Sequence, residues 1–342
     1  MSAPPDLDPA ALLAVLRADF GLEVDDVTFL PDGTAHAFRA QGPGGRFFVK
    51  VMPDSPYGAR VTARALAEVP LLSALRSSGV LPRVPAALRT REGGWVAALG
   101  GFRVFVYEWI HGVNTGGAWE AALPELAELL GRLHGASDGL RREVPDLPMP
   151  PEDFALPFEA ALRDVIGSLP HRTAEARPEV QALRDLLGPH LGTLERVLDA
   201  VSAVAADLRS RPLELVVCHT DAHGGNVMRG ADGALWIVDW ETARLAPPEH
   251  DLWMLGRHLP ACVDAYARGL GRPFSPDADL LRFYTLRRPL EDLAEDVRWL
   301  LRERPTPDVA AHSLRIIGEF VLPALLAAEA SASAVHSRWN EP

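Results

Sequence analysis

Between Asp26 and Val51 short apolar runs alternate with turn residues, the rhythm of paired β-strands. Asp26 to Leu30 reads as one strand, Pro31-Asp32-Gly33-Thr34 as a turn and Ala35 to Ala40 as the returning strand. Gly42-Pro43-Gly44-Gly45 forms a tight connection into the strand Arg46-Phe47-Phe48-Val49-Lys50-Val51. The spacing turns helical from about Tyr57 to Ser77, and a further apolar strand, Phe105 to Ile110, ends at His111-Gly112. Leu123, Leu126, Leu130 and Leu133 recur at helical spacing and predict a helix from about Ala118 to Ser137, capped by Asn114 or Thr115. A Pro-rich link, Val144 to Pro151, leads to helices over 153–168 and 174–209, the second broken or kinked at Pro178 and at Gly188-Pro189. Strand pattern then returns: Asn226 to Gly230 and Ala234 to Asp239 read as a β-hairpin around Ala231-Asp232-Gly233, with Asp-Gly as the turn signal. The rest, around 250–270, 278–302 and 306–333, carries apolar stripes with charged faces and predicts helices.

The chemistry concentrates at that hairpin. His219, Asp221 and Asn226 have the spacing of the His-x-Asp-x-x-x-x-Asn catalytic loop of phosphoryl-transfer kinases, and Asp239 ends the next apolar run. A nucleoside triphosphate must have its charge neutralised before an oxygen nucleophile can approach. Mg²⁺ does this and prefers hard oxygen ligands, keeping several waters. One carboxylate and one amide oxygen suffice, and Asp239 and Asn226 provide them. A further carboxylate, Asp221, would accept or orient the proton of the attacking hydroxyl. The hairpin would bring Asn226 and Asp239 to the same edge.

Val216 to Leu255 resembles the catalytic region of the aminoglycoside phosphotransferase family: His219, Asp221, His223, Asn226, Val227, then Asp239-Trp240 after an apolar strand. The segment Ala246-Pro247-Pro248-Glu249-His250-Asp251-Leu252 is most similar to the spectinomycin phosphotransferase branch. The resemblance implies an α+β, two-lobed protein-kinase-like fold. A small antiparallel N-lobe sheet with one main helix (1–110) would bind the nucleotide, and a mostly helical C-lobe (111–342) would hold the catalytic loop and acceptor site. It implies ATP (or GTP) as co-substrate with Mg²⁺, and structural roles for His219, His223 and Asp251 in steadying the catalytic loop.

A nucleotide lobe is legible in the N-terminal third. Lys50, inside its apolar run, has the setting of the lysine that pairs with the α- and β-phosphates, and Glu68 on the following helical segment is the carboxylate to orient it. The turn at Pro31 to Thr34 holds a single Gly, unlike the Gly-x-Gly-x-x-Gly run of protein kinases. Backbone amides and the Thr34 hydroxyl would contact phosphate there. The strand ending at Gly112 resembles the family hinge, where the backbones of Glu108 and Ile110 are the candidates to meet the adenine edge.

Composition narrows the partners. At 342 residues the chain suits two lobes with separate cores. Its 46 acidic against 34 basic residues, net charge −12, with no local basic patch, argue against a nucleic-acid role. The same balance suits a cationic small-molecule acceptor. Candidate acceptor contacts are Glu241, directly after Asp239-Trp240, and Trp253, Glu295 and Trp299 in the later helices. Two cysteines, Cys218 and Cys262, fit a reducing cytoplasm. The first residues lack the basic and apolar regions of a signal peptide, and Ile316 to Ala328, interrupted by Glu319 and Pro323, is too short to span a bilayer. Within the kinase class the acceptor is an aminocyclitol or aminoglycoside such as spectinomycin, or else a metabolite: choline, homoserine, methylthioribose or a sugar. Two readings stand outside that class. A Zn²⁺ or Mn²⁺ hydrolase built on His219, Asp221 and His223 leaves Lys50, Asn226 and Asp239 unexplained. A silent nucleotide-binding regulator would bind ATP without turnover.

Overall fold

The computed structural model describes residues 4–31, 35–145, 149–172, 177–302 and 305–339. Packing groups the chain into two compact units. One comprises 1–150, 216–245 and 254–274; the other comprises 151–215, 246–253 and 275–342. The chain first passes from one to the other at Pro150-Pro151, the end of the Pro-rich link.

The first unit opens with helix α1 (Pro9–Ala18), to which the strand-centred sequence reading assigned no element. Asp8 caps it, its carboxylate accepting the Ala10 N–H at 2.9 Å. A five-stranded antiparallel sheet follows, in the order β1-β2-β3-β5-β4: β1 Asp26–Leu30, β2 His36–Gly42, β3 Gly45–Pro53, β4 Ala97–Leu99 and β5 Phe102–Glu108. Strand alternation decides which face each side chain meets. Val49 and Val51 of β3 are fully buried in a core with Leu12 and Leu16 of α1 and Val104 and Val106 of β5. Lys50, between them, therefore turns to the opposite face. Helix α2 (Pro56–Ser77) starts at Ser55, whose hydroxyl accepts the Gly58 N–H at 3.1 Å, and carries Glu68.

The same unit continues with β6 (Gly112–Asn114), which pairs with β8 (Val227–Gly230), itself paired with β9 (Leu235–Ile237). The predicted hairpin is present, with Gly233 at φ 80° in its turn. Helix α3 (Trp119–Gly135) packs against α5 (Leu259–Leu270), with the short α4 (Ser137–Glu143) between them in sequence. The α3–α5 approach depends on glycine: a Cβ on Gly269 would lie 2.0 Å from the Glu128 carbonyl oxygen, and one on Gly131 2.2 Å from that of Tyr266. Neither Asn114 nor Thr115 caps α3, against expectation. Asn114 Nδ2 donates to the Gly225 carbonyl at 3.1 Å, and the buried Thr115 hydroxyl to that of Val227 at 3.1 Å.

The second unit is helical: Glu159–Ser168, Pro178–Leu187, Leu191–Leu208, Glu249–Leu252, Ala278–Arg302, Pro307–Ile316 and Leu322–Trp339. Pro178 begins a helix at its first turn, where a missing N–H costs nothing, whereas Gly188-Pro189 does break the run. The span expected as one helix over 250–270 is divided at Gly256, whose φ is 52°. The C-terminal stretch also differs from expectation. A π-helical turn at Ile317–Val321 carries helix across the interruption, so that Pro307–Ala330 is long and apolar enough to cross a membrane by length and composition. Ala310, Ile317, Val321, Leu325 and Ala328 from it are buried in the second unit's core, beside Phe283, Leu290 and Leu300.

Within that unit Glu249 is buried, and burial pushes its carboxyl up to about 7; the Asp277 N–H bond at 2.9 Å pulls the other way, and the Asp277 and Glu214 charges add to the rise. An acid whose folded pKa is raised above its ordinary 4.5 carries no penalty below that value and an increasing one as pH rises through about 7. Glu249→Gln should therefore match wild type near pH 4.5 and become more stable by up to about 3 kcal/mol at pH 8. Urea unfolding across that range reads the difference, and a gap that does not change with pH would refute the assignment.

Candidate active site

The loop that carries His219, Asp221 and His223 leaves β7 (Val216–Cys218), whose residues are all buried, and runs to Asn226, just before β8. His219 ties this loop to the strand that carries Asp239. Its Nδ1 accepts the Asp221 N–H at 3.2 Å while its Nε2 donates to the Val238 carbonyl at 3.0 Å, so the network fixes the tautomer. The imidazole also meets the Trp240 ring edge-on at 4.6 Å between centroids. His223 closes the loop on itself, Nδ1 accepting the Gly225 N–H at 2.9 Å, and its Nε2 faces the Asp221 carboxylate at 3.7 Å.

Asn226 is held from two sides. Its Nδ2 donates to the Asp221 carbonyl at 2.9 Å and to Asp221 Oδ2 at 3.1 Å, and its own carbonyl accepts the Val238 N–H at 2.9 Å. The β8–β9 register, Val227 opposite Ile237, thus places Asn226 next to the strand end from which Asp239 projects. Two residues here hold positive φ without being glycine: Thr220 at 72° and Asp239 at 66°. For a β-branched residue that conformation is strained. Local bonds hold it in place: Thr220 Oγ1 donates to the Thr242 carbonyl at 3.1 Å, and Thr242 Oγ1 to the His219 carbonyl at 3.3 Å.

Across the site stands Lys50. Its Nζ bonds Asp239 Oδ1 at 3.0 Å and lies 4.0 Å from Glu241 Oε2. Burial works against this ammonium, but the charges of Glu68, Asp239 and Glu241 outweigh it and hold the group well above the ordinary lysine range. Asp239 is correspondingly kept below the usual carboxylate range, since Lys50 overcomes the effect of burial. Burial raises Glu241, and the neighbouring Asp239 charge adds to the rise. Glu68 does not contact Lys50 in the expected way. Its Oε1 accepts the Tyr107 hydroxyl at 2.6 Å, and burial moves its carboxyl up to about 6 despite the pull of Lys50 and that bond.

A cavity of about 520 Å³ joins these groups. Leu30, Ala37, Leu72, Ile110 and Met228 give it apolar walls, and Lys50, Glu68, Asn226 and Asp239 lie at its polar end. An apolar slot ending in charge accommodates a purine and its phosphates. The Glu108 N–H donates to the Ala86 carbonyl at 2.9 Å and its carboxylate accepts Arg76 at 3.0 Å, while Glu108 and Ile110 both line the cavity. The donor set fits Mg²⁺: a carboxylate from Asp239, a third exposed, and the amide oxygen of Asn226, whose nitrogen is turned to Asp221.

The other predicted positions are distributed as follows. Thr34 lies outside the described residues. Glu241 is beside Lys50, but Asp251, Trp253, Glu295 and Trp299 belong to the second unit, where Asp251 is fully buried and Trp253 packs on the helical core. Glu295 accepts Arg298 at 2.6 Å and Trp299 Nε1 at 3.2 Å on one exposed helix face, the arrangement of a solvated surface. As site residues Tyr107, Thr220 and Thr242 escaped the sequence reading, and Asn114 and Thr115 were read there only as helix caps. Only Tyr107 left a trace there, a polar-tipped ring ending the otherwise apolar run Val104-Phe105-Val106.

Comparison with known proteins agrees with this geometry. The sequence model of the phosphotransferase enzyme family matches residues 26–284. No curated protein matches the sequence. Among solved structures, a spectinomycin phosphotransferase in complex with ADP and spectinomycin is similar at TM-score 0.77 and 20% identity, covering 95% of this chain and 99% of that one. An aminoglycoside phosphotransferase from Alicyclobacillus acidocaldarius follows at TM-score 0.58 and 18% identity, with 98% of each chain covered. A choline kinase from Streptococcus pneumoniae is similar at 0.54 and 16%, covering 93% and 98%. The fold is that of the kinase-like phosphotransferases, as the motif resemblance implied.

Proposed function

Because this chain belongs to the phosphotransferase enzyme family and is an O-phosphotransferase, we propose that it transfers the γ-phosphoryl group of ATP, or GTP, to a hydroxyl of a cationic small molecule. The acceptor we favour is an aminocyclitol or aminoglycoside, with spectinomycin first. The observation that carries this reading is the convergence of Lys50, Asn226 and Asp239 at the polar end of one cavity, with Asp221 bonded to Asn226.

In this reading the apolar slot takes the base and Lys50 holds the phosphates, exchanging its bond to Asp239 for one to phosphate oxygen. Asn226 and Asp239 would hold Mg²⁺, which when bound supplies neutralisation of the phosphate charge. Asp221 orients the acceptor hydroxyl and takes its proton at a carboxylate oxygen. His219 and the Thr220–Thr242 clasp keep the loop in its strained form, so the geometry is present before substrate arrives. Glu241 adds negative charge suited to an amine-bearing acceptor. Residues 1–110 would serve as the nucleotide lobe and 111–342 as the acceptor lobe, working in the cytoplasm where ATP is held.

Spectinomycin is favoured because the similar structure at TM-score 0.77 carries it together with ADP, although choline and aminopropanol kinases share the fold at 0.54 and 0.59. The test is Mg²⁺-dependent ATP and GTP consumption against aminocyclitols, aminoglycosides, choline, amino alcohols, homoserine and methylthioribose. Turnover with an aminocyclitol or aminoglycoside is expected. Turnover confined to a metabolite would overturn the favoured acceptor, and nucleotide binding with no turnover on any of them would favour the regulator.

A further inference from the structure

Tyr107 of β5 is buried, lines the cavity and donates its hydroxyl to Glu68 Oε1 at 2.6 Å. Lys50 Nζ lies 5.9 Å from the centroid of the same ring. One side chain thus touches both members of the lysine–carboxylate pair, which in this structure do not touch each other. Glu68 Oε2 has no hydrogen-bond partner among the described residues, although it is buried. A buried carboxylate oxygen without a partner is costly, and it marks a position from which a donor is missing.

Lys50 is the cation whose charge acts on Glu68, and its ammonium is engaged by Asp239. When a phosphate takes the place of Asp239 on Lys50, the ammonium needs an anchor on the sheet side of the site. Glu68 Oε2 is the oxygen left for that contact, and the Tyr107 hydroxyl is what holds Glu68 in place. We propose that Tyr107 is a positioning residue of the nucleotide site, holding Glu68 so that its second oxygen receives Lys50 once phosphate is bound. The inference rests on the reading of Lys50 as the phosphate clamp.

Tyr107→Phe removes only the hydroxyl. It should weaken Mg²⁺–ADP binding, read by calorimetry, and lower kcat by about tenfold each, the scale of a hydrogen bond to a charged group, with the acceptor KM unchanged. Glu68→Gln should lose more, and Tyr107→Phe combined with Glu68→Gln should be no worse than Glu68→Gln alone, since the hydroxyl would then have no carboxylate to hold. Glu68→Asp, which withdraws the carboxylate without touching Tyr107, gives a second reading of the same link if Tyr107→Phe melts early. Wild-type ADP affinity and kcat in Tyr107→Phe, or losses that multiply with those of Glu68→Gln, would overturn the proposal. Failure of the parent reading looks different: Lys50→Met would then bind ADP as wild type does.

Discussion

Replacing Asp221 by Asn should lower kcat by about a thousandfold while leaving ADP affinity within about twofold of wild type, within the range that a positioned general base contributes. The Asp221 carboxylate accepts Asn226 Nδ2 at 3.1 Å and lies 3.7 Å from His223 Nε2, and its main chain is held separately by His219 and Asn226. An amide of the same shape keeps the loop but cannot take a proton at neutral pH. A drop in kcat with unchanged nucleotide binding assigns the loss to proton handling at the acceptor. Steady-state kinetics with the best acceptor, alongside ADP calorimetry, separates the outcomes. A variant retaining a third of wild-type kcat would remove Asp221 from the reaction, and one that had lost ADP binding would show that its role is structural.

What could be read from the chain depended on whether the signal was local. Lys50 was legible because Val49 and Val51 flank it in a strand whose alternation puts it on the other face. The hairpin joining Asn226 to Asp239 was legible because Asp232-Gly233 is a turn with a mechanism, and Gly233 takes the left-handed conformation there. Proline was a weaker guide: Pro178 stands in the first turn of a helix, where Pro is tolerated, and Pro323 lies in helix that a π-turn carries across the interruption. Asn114 and Thr115 have the composition of helix caps, but tertiary pairing of β6 with β8 brings them to the carbonyls of Gly225 and Val227, which take their side-chain donors. Glu295, in the acidic stretch Glu291 to Asp296, likewise looked available to a cation. Asp292 is bonded to Arg288 and Glu295 to Arg298, each within one helical turn, a pairing invisible until helical phase is known. The Tyr107–Glu68 bond joins residues 39 apart, and spacing alone offers no signal for it.

Asp239→Asn carries the second large expectation. Asn accepts the left-handed conformation as readily as Asp, so the backbone at φ 66° should survive the change. Lys50 loses its bonded carboxylate but stays in the field of Glu68 and Glu241, so the fold should also persist. The lost function is the anionic oxygen that would hold Mg²⁺. In wild type, ADP should bind more tightly with Mg²⁺ than with chelator present. In Asp239→Asn that difference should largely vanish, and kcat should fall by about a thousandfold, the scale on which removal of a preorganised electrostatic contact acts. Calorimetry of ADP with Mg²⁺ and with chelator reads the metal effect without requiring turnover. If the Mg²⁺ dependence of ADP binding persists in full, Asp239 is not a ligand and its partner in the site is Lys50 alone. Loss of ADP binding both with and without Mg²⁺ would mean instead that Asp239 matters by holding Lys50 in place. The 3.0 Å bond between them makes that the sharpest competing account.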